Sequence, residues 1–228
     1  MITAAGLVPH PPLLLRELGG ARDPVGDLRA ACLATVRDLL TQAETLAVVG
    51  GAAGTRRWDP AAGIDVRRFG TCAPRSSGPS LPLSVGVGVR LLGQAGWDGP
   101  VVAHSLAPDV SADALDRLAA DLGAGPGRTA VLVLGDGSAR RGEKAPGYLD
   151  ERAFPLDDAV AKALADGEAA ELAALDVQLA DELMVLGASA LRFLGALALR
   201  QPRRPAATLT YRGDPFGVTY LTATWRFA

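Results

Sequence analysis

The chain has 228 residues, 23 Lys and Arg against 25 Asp and Glu for a net charge of -2, and 49% hydrophobic residues. The charges are mixed along it with no basic stripe, which excludes nucleic acid as the main partner, and no run of apolar residues is long enough to predict a membrane span. This length is expected to fold as one domain over residues 1–228 and to bury roughly 70–75% of the surface its unfolded form exposes. Residues 2–8 form the first predicted strand, rich in small residues, so another element should pack closely on it. Asp23-Pro24 marks a helix start with proline at the first position, and Leu28, Cys32, Val36, Leu39 and Leu40 keep helical spacing. Residues 45–49 make a second buried strand, followed by the loop Gly50-Gly51-Ala52-Ala53-Gly54. The polar, Pro/Gly/Ser-rich stretch 55–80 is irregular, with an edge strand predicted at 64–69. A helix is expected over 83–95, where Gly86, Gly88 and Gly93 each cost about 1 kcal/mol against alanine and need a packing reason. Strands at 101–106 and 129–134 flank an amphipathic helix at 111–122.

From 157 to 199 the pattern is nearly all helical, broken at Asp166-Gly167 and at Gly187. Residues 206–211 and 218–227 then alternate around Gly213-Asp214-Pro215-Phe216-Gly217, a hairpin signal. The order predicts an α/β fold: a mostly parallel central sheet flanked by helices, with antiparallel C-terminal strands. The N-terminus lacks the basic start and cleavage site of a signal peptide. The two cysteines, Cys32 and Cys72, do not have metal-type spacing, and a disulfide is not expected in what reads as a cytoplasmic chain.

Leu134-Gly135-Asp136-Gly137-Ser138-Ala139-Arg140-Arg141 is the most informative stretch. It follows a buried strand, turns sharply at glycines, and carries a carboxylate, a hydroxyl and two guanidinium groups at the end of the sheet where α/β proteins form pockets. Val8-Pro9-His10-Pro11-Pro12 follows the first strand, so one site built from both loops is expected. His10 is open to three readings: a strand-end histidine bonded to a carbonyl, a pocket residue touching a ligand, or a metal ligand. Asp136 braces its own turn or faces the pocket. Ser138 lies outside a nucleophile-elbow pattern, and Gly135-Asp136-Gly137 does not complete a dinucleotide fingerprint. Arg140, Arg141 and Lys144 are either a solvated surface or an anion-capturing cluster. In the second case Arg140 or Arg141 should contact Asp136 or Asp150, and Tyr148 belongs to a loop that can fold over the pocket. His104, in a strand, is expected to be partly buried and satisfied, with a two-histidine site beside His10 as the alternative.

The opening Gly6-Leu7-Val8-Pro9-His10-Pro11-Pro12-Leu13-Leu14 resembles the first motif of the class III extradiol ring-cleavage dioxygenases, in their catalytic-subunit (LigB-like) superfamily. The Gly-rich loop after the second strand, the Leu81-Pro82-Leu83 helix entry, the Pro100–Leu106 strand, the Asp136 loop and the Phe154-Pro155-Leu156-Asp157 helix entry keep the same order, so the resemblance covers most of the chain. Within that superfamily the chain is most similar to short bacterial members with the Gly-Asp-Gly-Ser-Ala-Arg-Arg run. The resemblance implies Fe(II) held by two histidines and one carboxylate, with a further histidine as acid/base. His10 matches the first metal histidine. The second position falls on Gly50-Gly51-Ala52-Ala53, the acid/base position on Ser138-Ala139-Arg140, and the carboxylate position on Gly187-Ala188-Ser189-Ala190-Leu191; none of these stretches has the required residue.

The expectation is therefore a relative without the family iron site and without a cofactor, Fe(II) at His10 being the alternative. It would bind or transform a small anionic or aromatic molecule. His10, Asp136 and Ser138 are the catalytic candidates, and Gly50, Gly51, Arg140, Arg141 and Tyr148 the ligand-binding ones. Two other functions stay open: an iron-dependent ring-cleavage dioxygenase, and a non-catalytic subunit or scaffold whose C-terminal helices make the contacts, including those of a homo-oligomer.

Overall fold

The fold is described from a computed structural model over residues 1–19, 23–70 and 79–227. Cys72 lies outside the described residues; Cys32 is a free, buried thiol. The strands are β1 (Ile2–Val8), β2 (Thr45–Gly51), β3 (Arg56–Trp58), β4 (Val101–Leu106), β5 (Thr129–Leu134), β6 (Ala206–Gly213) and β7 (Tyr220–Arg226). They form one sheet in the order β3-β4-β2-β5-β1-β7-β6. The four inner neighbours β4, β2, β5 and β1 are parallel, while β3, β7 and β6 pair antiparallel at the two sides. The helices are α1 (Gly26–Leu40), α2 (Leu83–Gln94), α3 (Ala112–Ala124), α4 (Ala153–Asp166), α5 (Ala169–Ala173), α6 (Val177–Glu182) and α7 (Ala188–Leu199). Among the described residues no helix is long and apolar enough to cross a membrane.

The inner strands are apolar on both faces because helices cover both. Strand residues alternate sides, so Val131 and Val133 of β5 join Leu7, Val49 and the helices α3 to α7 in one core. Ala130, Leu132 and Leu134 join Val8, Val48 and the helices α1 and α2 in the other. Gly6 supplies the close approach expected of β1: a Cβ there would lie 2.8 Å from Thr35 Cγ2 and 3.0 Å from Leu39 Cδ1 of α1. Gly86 and Gly88 have the packing reasons their cost demands. A Cβ at Gly88 would meet Val48 Cγ1 at 2.6 Å, and one at Gly86 would meet Ile64 Cδ1 at 2.7 Å. Gly93 meets nothing within 4 Å and has no such reason.

Several boundaries differ from those the sequence predicts. Gly50 and Gly51 are the end of β2 rather than a loop, paired with Ser105 and Leu106 of β4. The edge strand is β3, not 64–69. There Ile64 makes only an isolated bridge to Leu81. The Asp65 carboxylate accepts the Arg67 N–H at 3.1 Å, closing a local turn that leads into the 3-10 segment Arg67–Phe69. Helix α1 starts at Gly26, with Asp23 bonded to the Val25 amide and ion-paired to the buried Arg29. The 157–199 region is α4 to α7, and α4 begins earlier, at Ala153.

Candidate functional site

The ends of β1, β2 and β4 open into a cleft of about 1280 Å3. Its walls are largely apolar, with Trp58, Ile64, Leu81, Val185 and Leu186 among them. Trp58 is fixed at its edge and on one face. Its indole N–H donates to Ser105 Oγ at 2.9 Å, that hydroxyl donates to the Gly54 carbonyl at 2.6 Å, and the Arg56 guanidinium lies 3.5 Å from the ring centroid. Carboxylates at Asp65, Asp109 and Asp181 also line it, of which Asp65 is paired with Arg67.

His10 lines this cleft and is 6% exposed. Its backbone N–H donates to Asp136 Oδ1 at 2.8 Å, which brings the loops after β1 and β5 together at the same edge of the sheet. Its Nδ1 lies 3.3 Å from the same carboxylate oxygen, but off the hydrogen-bonding direction, so this buried nitrogen has no hydrogen-bond partner. Asp136 therefore does both things read into it: it braces the chain and stands behind the imidazole. Burial first, and then the Asp136 charge, push the Tyr220 phenol and the Cys32 thiol above their ordinary ranges. Cys32 is accordingly an inert core thiol.

Most of the remaining polar groups of the Asp136 loop are engaged elsewhere; of its buried side-chain atoms, Arg140 Nε and Arg141 Nη1 have no hydrogen-bond partner among the described residues. Ser138 is fully buried; its hydroxyl donates to the Leu183 carbonyl at 2.7 Å and accepts the Arg140 N–H at 3.1 Å. Asp157 of α4 accepts from Ser138 N at 2.9 Å and from Thr219 Oγ1 at 2.6 Å. Burial raises the Asp157 pKa above the usual carboxylate value, against the lowering effects of Thr219, Ser138 and Arg141. Arg141 pairs with Asp214 at 3.3 Å and Asp157 at 3.8 Å, and its guanidinium lies over the Phe154 ring. Arg140 donates to the Gly147 carbonyl at 2.7 Å, and the Arg140 carbonyl accepts the Asp150 N–H. Tyr148 is 74% exposed. Of the sequence-predicted residues, His10 and Gly51 line the cleft; Asp136, Ser138, Gly50, Arg140, Arg141 and Tyr148 do not. Asp136 touches the cleft's histidine from behind, and Gly50 packs where a Cβ would lie 2.5 Å from Ser84 Oγ. Neither arginine side chain contacts Asp136 or pairs with Asp150, as a cluster built for an incoming anion would require; Arg152 is the partner of Asp150. His104 does not reach the cleft; it stands opposite Arg57 across β3 and β4.

The loop instead holds one wall of the cleft. Asp136 N donates to Leu186 O at 2.9 Å and Ala139 N to Leu183 O at 3.3 Å, tying residues 183–186 to the end of β5. Gly187 then sits at φ 112, where a Cβ would meet Gly135 Cα at 2.6 Å. A Cβ at Gly51 would meet Gly187 Cα at 3.0 Å, so β2 and the start of α7 touch backbone to backbone. Sequence reasoning missed the wall residues Trp58, Leu83, Ser84, Ala188 and Ser189. The available signal was the start of α2 at Pro82-Leu83 and of α7 at Gly187, both directly beside strand ends.

The positions where the resemblance implies two further iron ligands do converge on this cleft, through Gly51, Ala52 and Ala53 and through Gly187, Ala188 and Ser189. They offer no imidazole or carboxylate. Among the described residues no three His, Cys, Asp or Glu side chains come together as a metal-binding group. The donor set therefore does not fit a two-histidine, one-carboxylate iron. No family model and no curated protein matches the chain. Among solved structures it is similar to the crystal structure of uncharacterized protein JW3007 from Escherichia coli K12, at 16% identity and a TM-score of 0.49, with 97% of this chain and 99% of that chain covered.

Proposed function

We propose that the cleft binds a small molecule with an apolar, aromatic-sized body and that His10 moves a proton on it. The reading is that of an extradiol-dioxygenase-like protein that has lost the family iron site. The observation that carries it is His10 itself, a buried imidazole that lines an apolar cleft, with a carboxylate behind it and an Nδ1 that makes no hydrogen bond among the described residues. A proton on Nδ1, facing Asp136, leaves Nε2 as a base toward the cleft. Trp58, fixed at its edge and on one face, offers a preorganised surface for a planar ligand. Iron-dependent ring cleavage, the competing reading, would need donors at Gly51–Ala53 and Gly187–Ser189 that those residues lack. A cytoplasmic location and a small-molecule partner belong to the same proposal.

Trp58 also supplies the assay. Arylalkyl compounds should change its fluorescence saturably, with the response lost in Trp58→Phe. Phenylpyruvate then tests proton transfer. The protein should speed exchange of its benzylic protons for deuterium, and His10→Gln should lose at least about 100-fold of that rate, as expected for removal of a general base, while still binding. Binding with no effect of His10→Gln on exchange reduces the protein to a binding module. No response from any aryl compound overturns the reading.

A further inference from the structure

Two long helices begin at the cleft with nothing closing their ends. Helices α2 and α7 are each 12 residues long, have Pro82 and Gly187 at their N-caps, make no side-chain cap bond, and carry no acid in the first turn. Of the other helices, α3 is closed by the Ser111 hydroxyl and α6 by the Asp176 carboxylate, while α1, α4 and α5 also lack a side-chain cap but do not start at the cleft. Leu83 and Ser84 at the start of α2, and Ala188 and Ser189 at the start of α7, all line the cleft. The backbone N–H groups of Leu83, Ser84 and Ser189 donate no hydrogen bond among the described residues. The positive ends of two helices, each with free amides, thus open on the same space. An independent observation points to that space as well: His10, nine-tenths buried, lines it, and its Nδ1 makes no hydrogen bond among the described residues.

We infer that the starts of α2 and α7, with His10 between the strand ends, form a receptor for the anionic head group of the ligand, a carboxylate or similar small oxyanion. This rests on the reading that the cleft holds a small molecule, and it adds the charge and orientation of that molecule. Free amides at helix N-termini are the usual protein receptor for such groups. The helix amides hold the anion, and His10 Nε2 stays free beside it as the base toward the rest of the ligand. The apolar body then lies outward along Trp58 and Leu186. Arg140 and Arg141 take no part. Of the carboxylates lining the cleft, Asp65 is paired with Arg67, and Asp109 and Asp181 are exposed, where salt screens them.

Three probes with one body separate the claims: 4-phenylbutyrate, 4-phenylbutanol and 4-phenylbutylamine, titrated calorimetrically into the intact protein. The acid should bind at least about tenfold more tightly than the alcohol, and the amine most weakly. Ala188→Asp places a carboxylate in the first turn of α7, where it suits the helix dipole. It should keep or raise the melting temperature, retain the alcohol, and lose the acid by about tenfold or more; Ala188→Asn should retain the acid. Equal binding of acid and alcohol, preference for the amine, or an acid affinity unmoved by Ala188→Asp overturns the inference while the cleft reading stands. If none of the three binds, the cleft reading falls, and inorganic phosphate judges the helix ends alone. Phosphate binding that Ala188→Asp abolishes would uphold the receptor, and its absence would end it.

Discussion

The loop from Gly135 to Arg141 and the first turns of α2 and α7 invert what their sequences promise. The loop carries a carboxylate, a hydroxyl and two guanidinium groups, and most of that chemistry is used internally, with Arg140 Nε and Arg141 Nη1 left as buried exceptions. Ser138 and Asp157 bond to backbone and to Thr219, and Arg141 is held between Asp157 and Asp214. The helix starts, Pro82-Leu83-Ser84 and Gly187-Ala188-Ser189, have little side-chain chemistry, yet they line the cleft with unused backbone donors. A polar residue at a strand end is thus as readily a strut as a reagent, and the deciding quantity is whether its partners are already present. Buried polar groups must be bonded, and a satisfied group has nothing left to offer a ligand.

The sharpest way to break this comparison is to disturb the backbone contact that both regions share. Gly187→Val would force a branched side chain into a left-handed conformation against Gly135, at a cost of about 3–5 kcal/mol. Urea unfolding should show it; wild-type stability would mean that the α7 start is not docked on the β5 loop. Next in size, Asp157→Ala strips the partner from Ser138 N and Thr219 Oγ1 and should lower stability by about 2–4 kcal/mol. Ligand affinity in whatever remains folded should hold, since Asp157 does not line the cleft. Ser138→Ala, which frees the Leu183 carbonyl and the Arg140 amide, should cost about 1–2 kcal/mol. A catalytic Ser138 would instead show undiminished stability with lost turnover.

A smaller effect separates the two histidines. Burial and the facing Arg57 hold His104 below its ordinary pKa, against a raising effect of Asp121. The folded state therefore favours the neutral ring. The stability this contributes is fully present above the unfolded value of about 6.5 and is lost as pH falls through the lower folded value. Melting temperatures should decline as the buffer is acidified below that point, and His104→Gln should flatten part of the decline. An unchanged profile in the variant would remove His104 from the account.

Much of the architecture was legible in the chain because it depends on period and punctuation. Apolar runs at 2–8, 101–106 and 129–134 became strands at those residues, and the final hairpin pairs as its alternation predicts. The meeting of His10 with Asp136 followed from both lying just past parallel strand ends. What was not legible depends on partners distant in sequence. Gly50-Gly51 looked like a loop because glycine breaks strands, whereas here it lets Ser84 and Gly187 approach the end of β2. Arg141 looked available because its carboxylates, Asp157 and Asp214, lie 16 and 73 positions away. The walls at α2 and α7 gave no signal because free backbone amides have no letter in a sequence.

The central claim is that ligand chemistry sits at His10 and the helix starts rather than at the arginine loop. Nitrogen-15 NMR of the intact protein during titration with 4-phenylbutyrate tests it most directly. The account predicts saturable shifts of the His10 ring nitrogens and of the Ser84 and Ser189 amides, with the Arg140 and Arg141 Nε signals unmoved. Shifts confined to Arg140, Arg141 and Tyr148, with His10 silent, would contradict it.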